Sequence, residues 1–212
     1  LAITLLKINT FEKKPLGFQP FEKKVSLYYK NTYPVIDEKL IEGCRKKQRE
    51  AQRQVYEKLG PYLYRLCKRY LKKEEEIEEV LADSFFILFT KIDQLNENKA
   101  FWSWAKRITI NECLRHLKKK VNFNLYLEDR PQIPGVEAEQ EQPLLEADLL
   151  KLLDTLPHGS RTIFSLFVIE GYSHKEISTL LSITEGTSKS QLNFAKSKLK
   201  ELVNLHYYQQ AK

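Results

Sequence analysis

Methionine is absent from the 212 residues, cysteine occurs three times, tryptophan twice and glycine seven times. Each scarcity excludes something. Cys44, Cys67 and Cys113 lie far apart, each inside a helical pattern. An odd, scattered count of this kind suits buried, reduced thiols rather than a disulfide framework or a zinc site, and a reducing cytoplasm is the compartment expected. His116, His158, His174 and His206 show no metal-ligand spacing, so neither a metal nor a cofactor is expected. No apolar run reaches the roughly 18 residues a membrane span needs. The opening LAITLL is too short for a secretory signal and lacks its basic flank and cleavage site, so no membrane insertion is expected. Paired carboxylates, a nucleophile–base set and a glycine-rich phosphate loop are missing as well. The expectation is a protein without catalytic residues and without a small-molecule substrate.

What is present is charge. The formal net charge is +7, but its placement says more than its sum. Lys and Arg exceed Asp and Glu by 4 over residues 1–36, by 6 over 37–120 and by 2 over 148–212, while residues 121–147 carry an acidic excess of 5. Two basic blocks around an acidic connector suit a polyanionic partner touched at both ends. Residues 1–36 hold Pro15, Pro20, Pro34 and two copies of FEKK, and read as a poorly ordered extension. From 37 to 120 the pattern is helical. Asp37 is the expected N-cap of a helix to Leu59, and Gly60-Pro61 punctuates it. A second helix opens at Pro61 and runs to Lys72, and a third grows from EEEIEE to Ile92. After a polar loop over 93–100, a fourth spans 101–120. Residues 121–147, with Pro131, Pro134, Gly135 and Pro143, read as a flexible linker. Beyond it, LLEADLLKLLDTL and SRTIFSLFVIEG repeat apolar residues at helical spacing, the second ending at Gly171. The expected fold is all-α: a four-helix N-terminal domain over 37–120 and a helix-turn-helix domain over 148–212.

The sharpest signal is SHKEISTLLSITEGTSKSQL. Ser173 and Glu176 have the spacing of a capping box, and Ile177, Leu180 and Leu181 form the stripe of a short helix. Ser182-Ile183-Thr184 breaks it. The next helix would bury Leu192, Ala195, Leu199 and Leu202. Its first turns, Glu185 to Gln191, carry no large apolar side chain. A helix entering a DNA major groove needs small or hydrogen-bonding residues at its leading end. Thr187 and Ser190 can bond phosphates or base edges, Lys189 supplies phosphate charge, and Lys196, Lys198 and Lys200 make the trailing face basic.

LPHGSRTIFSLFVIEGYSHKEISTLLSITEGTSKSQLNFAKSKL resembles the C-terminal DNA-binding region of bacterial extracytoplasmic-function (ECF) sigma factors. EGYSHKEI followed by EGTSKSQL is similar to versions from Bacteroidetes. IEEVLADSFFILFTKI and FWSWAKRITINECLRHLKKK resemble the same family's polymerase-binding and −10-reading helices. The resemblance implies a promoter-specificity subunit that borrows its catalyst from core RNA polymerase. Residues 37–120 would be sigma region 2 and residues 148–212 sigma region 4. An anti-sigma factor is a further partner the resemblance implies.

Helical geometry and the resemblance together single out the candidate residues. Glu79, Ala82, Asp83, Phe86 and Thr90 share one face, opposite the apolar stripe Ile77, Leu81, Phe85, Leu88 and Ile92. An aromatic beside carboxylates on an exposed face reads as a partner anchor. The resemblance implies that Glu79, Asp83 and Phe86 face the clamp helices of the polymerase β′ subunit. In the fourth helix, Ile110, Cys113, Leu114 and Leu117 suit the core. Trp104, Ile108, Asn111 and Arg115 form a second stripe leading into LKKK, with Lys118 and Lys119. Aromatic, amide and basic groups in one stripe suit separated bases. The resemblance implies that this stripe, with the loop over 96–100, holds the melted −10 strand. Thr184, Gly186, Thr187, Lys189, Ser190 and Asn193 are the implied −35 contacts. Phe194 stands where relatives commonly carry Arg, removing one phosphate contact, and Ser188 where they commonly carry Val. The acidic linker, with Glu137, Glu139 and Glu141, would suit the polymerase's basic nucleic-acid channel. The rival readings are a helix-turn-helix regulator binding duplex DNA as a symmetric dimer, and a pure protein-interaction adaptor.

Overall fold

The computed structural model describes residues 34–120 and 146–210. Nearly all of the N-terminal extension and of the acidic linker therefore lies outside the described residues, as does the side chain of Lys200. The described residues are helical, contain no strand, and fall in two compact units, one on each side of the linker.

The first unit opens with α1 (Glu38–Arg45), α2 (Arg49–Cys67) and α3 (Glu74–Thr90). Two 3₁₀ turns (Ile92–Gln94 and Asn98–Ala100) then lead into α4 (Phe101–Lys120). Asp37 caps α1 as expected, its Oδ1 accepting the Lys39 N–H at 3.0 Å. The first expected helix boundary is wrong, and instructively so. The helix expected to run from 37 to 59 breaks at 46–48, where Lys47 takes φ 55°. The expected break at Gly60-Pro61 does not occur, and Pro61 lies inside α2.

Packing explains both errors. Gly43 of α1 faces Ala51 of α2 so closely that a Cβ on residue 43 would lie 2.6 Å from the Ala51 methyl. Two small residues thus let the chain double back where its local pattern reads as one helix. At Pro61 the opposite happens. Val55, Leu59, Leu63, Leu66 and Cys67 form one buried stripe that runs through the proline. Proline in a helix interior costs about 3 kcal/mol. Burying each large aliphatic side chain on that stripe returns about 1.5–3 kcal/mol, so burial wins. Ile77, Leu81, Phe85, Leu88 and Ile92 of the third helical segment are all buried, as are Ile110, Cys113, Leu114 and Leu117 of α4.

The second unit holds α5 (Glu146–Asp154), α6 (His158–Phe164), α7 (His174–Leu181) and α8 (Glu185–Gln210). The helix expected through 160–171 widens after Phe164 into a π-turn over Ser165–Ile169, then stops at Gly171 with φ 80°. Leu153, Leu156, Ile163, Phe164, Ile177, Leu181, Leu192, Ala195 and Leu199 form its core, with Leu202 half-buried. Arg161 was not expected inside, yet it is fully buried, with Nη1 at 2.5 Å from Asp154 Oδ1.

Candidate nucleic-acid interface

Both bonds of the capping box at Ser173 are present. The Ser173 N–H donates to Glu176 Oε2 at 2.8 Å, and the Glu176 N–H donates to Ser173 Oγ at 3.3 Å. The Ser173 hydroxyl, which donates to Glu176 Oε2 at 2.7 Å, and then the Ser173 N–H hold the Glu176 carboxyl below its ordinary pKa. Ser182, at φ 58°, ends α7, and Thr184 starts α8 by accepting the Thr187 N–H at 3.0 Å.

The leading turns of α8 are exposed in the way the small residues require. Thr184, Gly186, Lys189, Ser190 and Asn193 are exposed and Thr187 is half-buried. Ser188, Gln191, Leu192 and Ala195 take the opposite, buried face. Gly186 is not demanded by packing, since a Cβ there would meet Thr184 Oγ1 at an ordinary 3.5 Å. The hydroxyls are partly committed. Thr184 Oγ1 lies 2.9 Å from Thr187 Oγ1, and Ser190 Oγ donates to the Thr187 carbonyl at 3.0 Å, leaving oxygen lone pairs to accept. Lys189 is paired with Glu185 only loosely, at 3.7 Å.

Sequence reasoning missed how α8 is seated. Ser188 is fully buried with its Oγ 2.8 Å from His174 Nδ1. The His174 ring stacks on Phe167 with centroids 4.4 Å apart. Burial first, and then the nearby Lys189 charge, push the His174 pKa below its ordinary value. A polar pair thus joins the two helices. The hydroxyl at 188 and the imidazole at 174 were the available signal.

In the first unit the α3 face is as drawn from the helical wheel. Glu79, Ala82, Phe86 and Thr90 are exposed, and Phe86 keeps 70% of its surface accessible. Asp83 is half-buried, because Arg115 of α4 donates to its Oδ2 at 2.7 Å. Arg115 also donates to Glu112 from Nε at 2.6 Å. The residues assigned to polymerase and those assigned to the −10 strand therefore meet at an ion pair. Along α4, Asn111, Arg115, Lys118 and Lys119 are exposed. Trp104 and Ile108 are half-buried against the core, so each presents only one edge. Arg45, which the sequence did not single out, holds the neighbouring loop. Its Nη2 donates to the Leu95 carbonyl at 2.9 Å and to Asn98 Oδ1 at 3.2 Å.

A bundle with an anionic aromatic face and a basic helix, joined to a capped helix-turn-helix, defines a DNA-binding transcription protein. The Sigma-70 region 2 family matches residues 55–122 and the Sigma-70, region 4 family matches residues 146–199, together more than half of the chain. The chain is 25% identical over 180 residues to the RNA polymerase sigma factor NccH of Alcaligenes xylosoxydans xylosoxydans, covering 81% of this chain and 97% of that one. It is 27% identical over 150 residues to the ECF RNA polymerase sigma factor SigE of Mycolicibacterium smegmatis, covering 68% of this chain but only 58% of the length of SigE. Among solved structures, CnrH in complex with the cytosolic domain of CnrY is similar at a TM-score of 0.46 and 19% identity, covering 81% of this chain and 99% of that chain. The chain belongs to the ECF group of RNA polymerase sigma factors. Among the described residues no helix is long and apolar enough to cross a membrane.

Proposed function

We propose that the chain works as a cytoplasmic, non-catalytic initiation subunit that brings core RNA polymerase to promoter DNA. Glu79, Asp83 and Phe86 on α3 form the surface for the β′ clamp helices. Trp104, Ile108, Asn111, Arg115, Lys118 and Lys119, with the loop held by Arg45, receive the melted −10 strand. Thr184, Gly186, Thr187, Lys189, Ser190 and Asn193 face the −35 duplex. Residues 37–120 act as region 2 and 148–212 as region 4, with the acidic connector between them as tether. Two weak contacts suffice, because the tether raises the effective concentration of the second once the first has formed.

The observation that carries this reading is Phe86, a large aromatic left 70% exposed beside Glu79 and Asp83. An aromatic ring this exposed adds little to the bundle's own stability and gains by being covered. An anti-sigma factor that covers the same ring would hold the protein inactive. The test is Phe86→Asp in the full chain, measured by co-purification with sigma-free core polymerase and by circular dichroism. Polymerase binding is abolished while helical content is kept. Unchanged affinity refutes the assignment.

A further inference from the structure

We propose that Tyr62 and Arg65 of α2 and Trp102 of α4 form a second contact for single-stranded promoter DNA, continuing the path of the −10 stripe past the N-terminal end of α4. This rests on the −10 reading of α4 given above, and extends it to residues outside that stripe.

Charge makes the first argument. Residues 58–73 contain six Lys and Arg and no Asp or Glu, and residues 99–111 contain three and again no Asp or Glu. The two helices carrying these segments pack against each other. Neither segment contributes a carboxylate of its own to the surface they build; an acidic group set against it is Glu74 of α3, which accepts from the Tyr64 hydroxyl. The first turn of α3 is the reverse, with Glu74, Glu75 and Glu76 in succession. A nucleic-acid strand would be drawn to the former and repelled from the latter.

Ring geometry makes the second argument. The Arg65 guanidinium lies over the Tyr62 ring at 4.7 Å, and Tyr62 meets Trp102 edge-to-face with centroids 6.3 Å apart. Arg65 is exposed, and Tyr62 and Trp102 are half-buried. Tyr62 is held by Arg65 and Trp102, and Trp102 packs partly against the core, so each ring is fixed in place while part of its surface stays open. A stacked guanidinium presents a flat cation that can lie against a base or a phosphate. A duplex would use only the charges of such a surface, because its bases are stacked inside. Separated bases use the rings as well. Trp102 precedes Trp104 by two residues, and Lys99 lies exposed in the 3₁₀ turn before them. A strand leaving the stripe at Trp104 and rounding the end of α4 meets Trp102 next.

The test uses the full chain and fluorescence anisotropy with a labelled oligothymidylate, single-stranded or annealed to oligoadenylate. Arg65→Ala and Tyr62→Ala each weaken single-strand binding by about tenfold or more, the loss typical of one stacking contact. Tyr62→Phe keeps the ring and keeps the affinity, which separates stacking from any loss of fold. Duplex binding changes less than single-strand binding in both alanine variants. Wild-type affinity for the single strand in both alanine variants, or equal losses on single strand and duplex, overturns the proposal. Asn111→Ala is assayed in parallel for promoter opening with core polymerase. Normal opening by that variant sinks the −10 reading itself, a failure distinct from either outcome on oligothymidylate.

Discussion

Replacing Gly43 by alanine adds one methyl group at the point where α1 folds back on α2. The added carbon would sit 2.6 Å from Ala51 Cβ and 3.0 Å from Gln48 Oε1. The glutamine end can swing away, but the Ala51 methyl is fixed to the backbone of α2, so the helices themselves must part. Overpacking costs about 1–3 kcal/mol, and a clash against an immovable atom falls at the upper end of that range. Alanine's better helix propensity offsets about 1 kcal/mol. The net loss is about 2 kcal/mol, which lowers the melting temperature of a bundle this size by about 8–15 °C. Gly60 supplies the control, since beyond its own helix backbone and the adjoining Leu59 and Pro61 a Cβ there meets nothing within 4 Å. Helix propensity favours Gly60→Ala by about 0.5–1 kcal/mol, and the Pro61 ring disfavours a Cβ on the helical residue before it, so the two effects offset and that variant stays near the wild type. Thermal unfolding of both variants followed by circular dichroism gives a clear drop for Gly43→Ala and a small shift for Gly60→Ala. A Gly43→Ala protein as stable as the wild type, or equal losses in the two variants, refutes the packing argument. The consequence reaches the proposed interface, because Arg45, two residues on, holds the loop beside the proposed −10 stripe through Leu95 and Asn98.

Two further outcomes concern the second unit. Ser173→Ala removes the cap of α7 and costs about 1 kcal/mol in chemical denaturation. The pH dependence of that loss has a definite sign. The folded pKa of Glu176 is depressed, so its contribution is present above the unfolded value near 4.5 and is lost as pH falls through the folded one. Ser173→Ala flattens this acid slope in stability measured against pH, and an unchanged slope refutes the coupling. Arg161→Ala empties a fully buried site and strips Asp154 of its 2.5 Å partner. It costs about 3–5 kcal/mol, read as a lowered denaturation midpoint, and a loss below about 1 kcal/mol contradicts an interior role for this arginine.

The readable parts of the sequence were those governed by near neighbours. The capping box depends on two residues three apart, and the α8 stripe on residues three and four apart, so both are written locally. The exposed position of Phe86 follows from the same arithmetic, since Phe85 beside it is claimed by the core. The family resemblance was legible for a related reason: two blocks in order carry its motifs within single helices. The hairpin at 46–48 was not legible, because its cause is Gly43 meeting Ala51 across a turn that neither residue announces. Nor was the seat of α8, in which Ser188 bonds a histidine 14 residues away on another helix.

The sequence by itself determined that the chain is helical, where its basic and acidic blocks lie, and which small, polar residues head α8. Periodicity, charge and capping are properties of a few consecutive residues and survive without the fold. The tertiary structure alone decided that α2 runs through Pro61, that Arg161 is interior, that Arg115 pairs with Asp83, and that Tyr62, Arg65 and Trp102 meet. Each of these depends on which helices approach and how closely, and packing energy between distant residues outweighs the local preference of the chain.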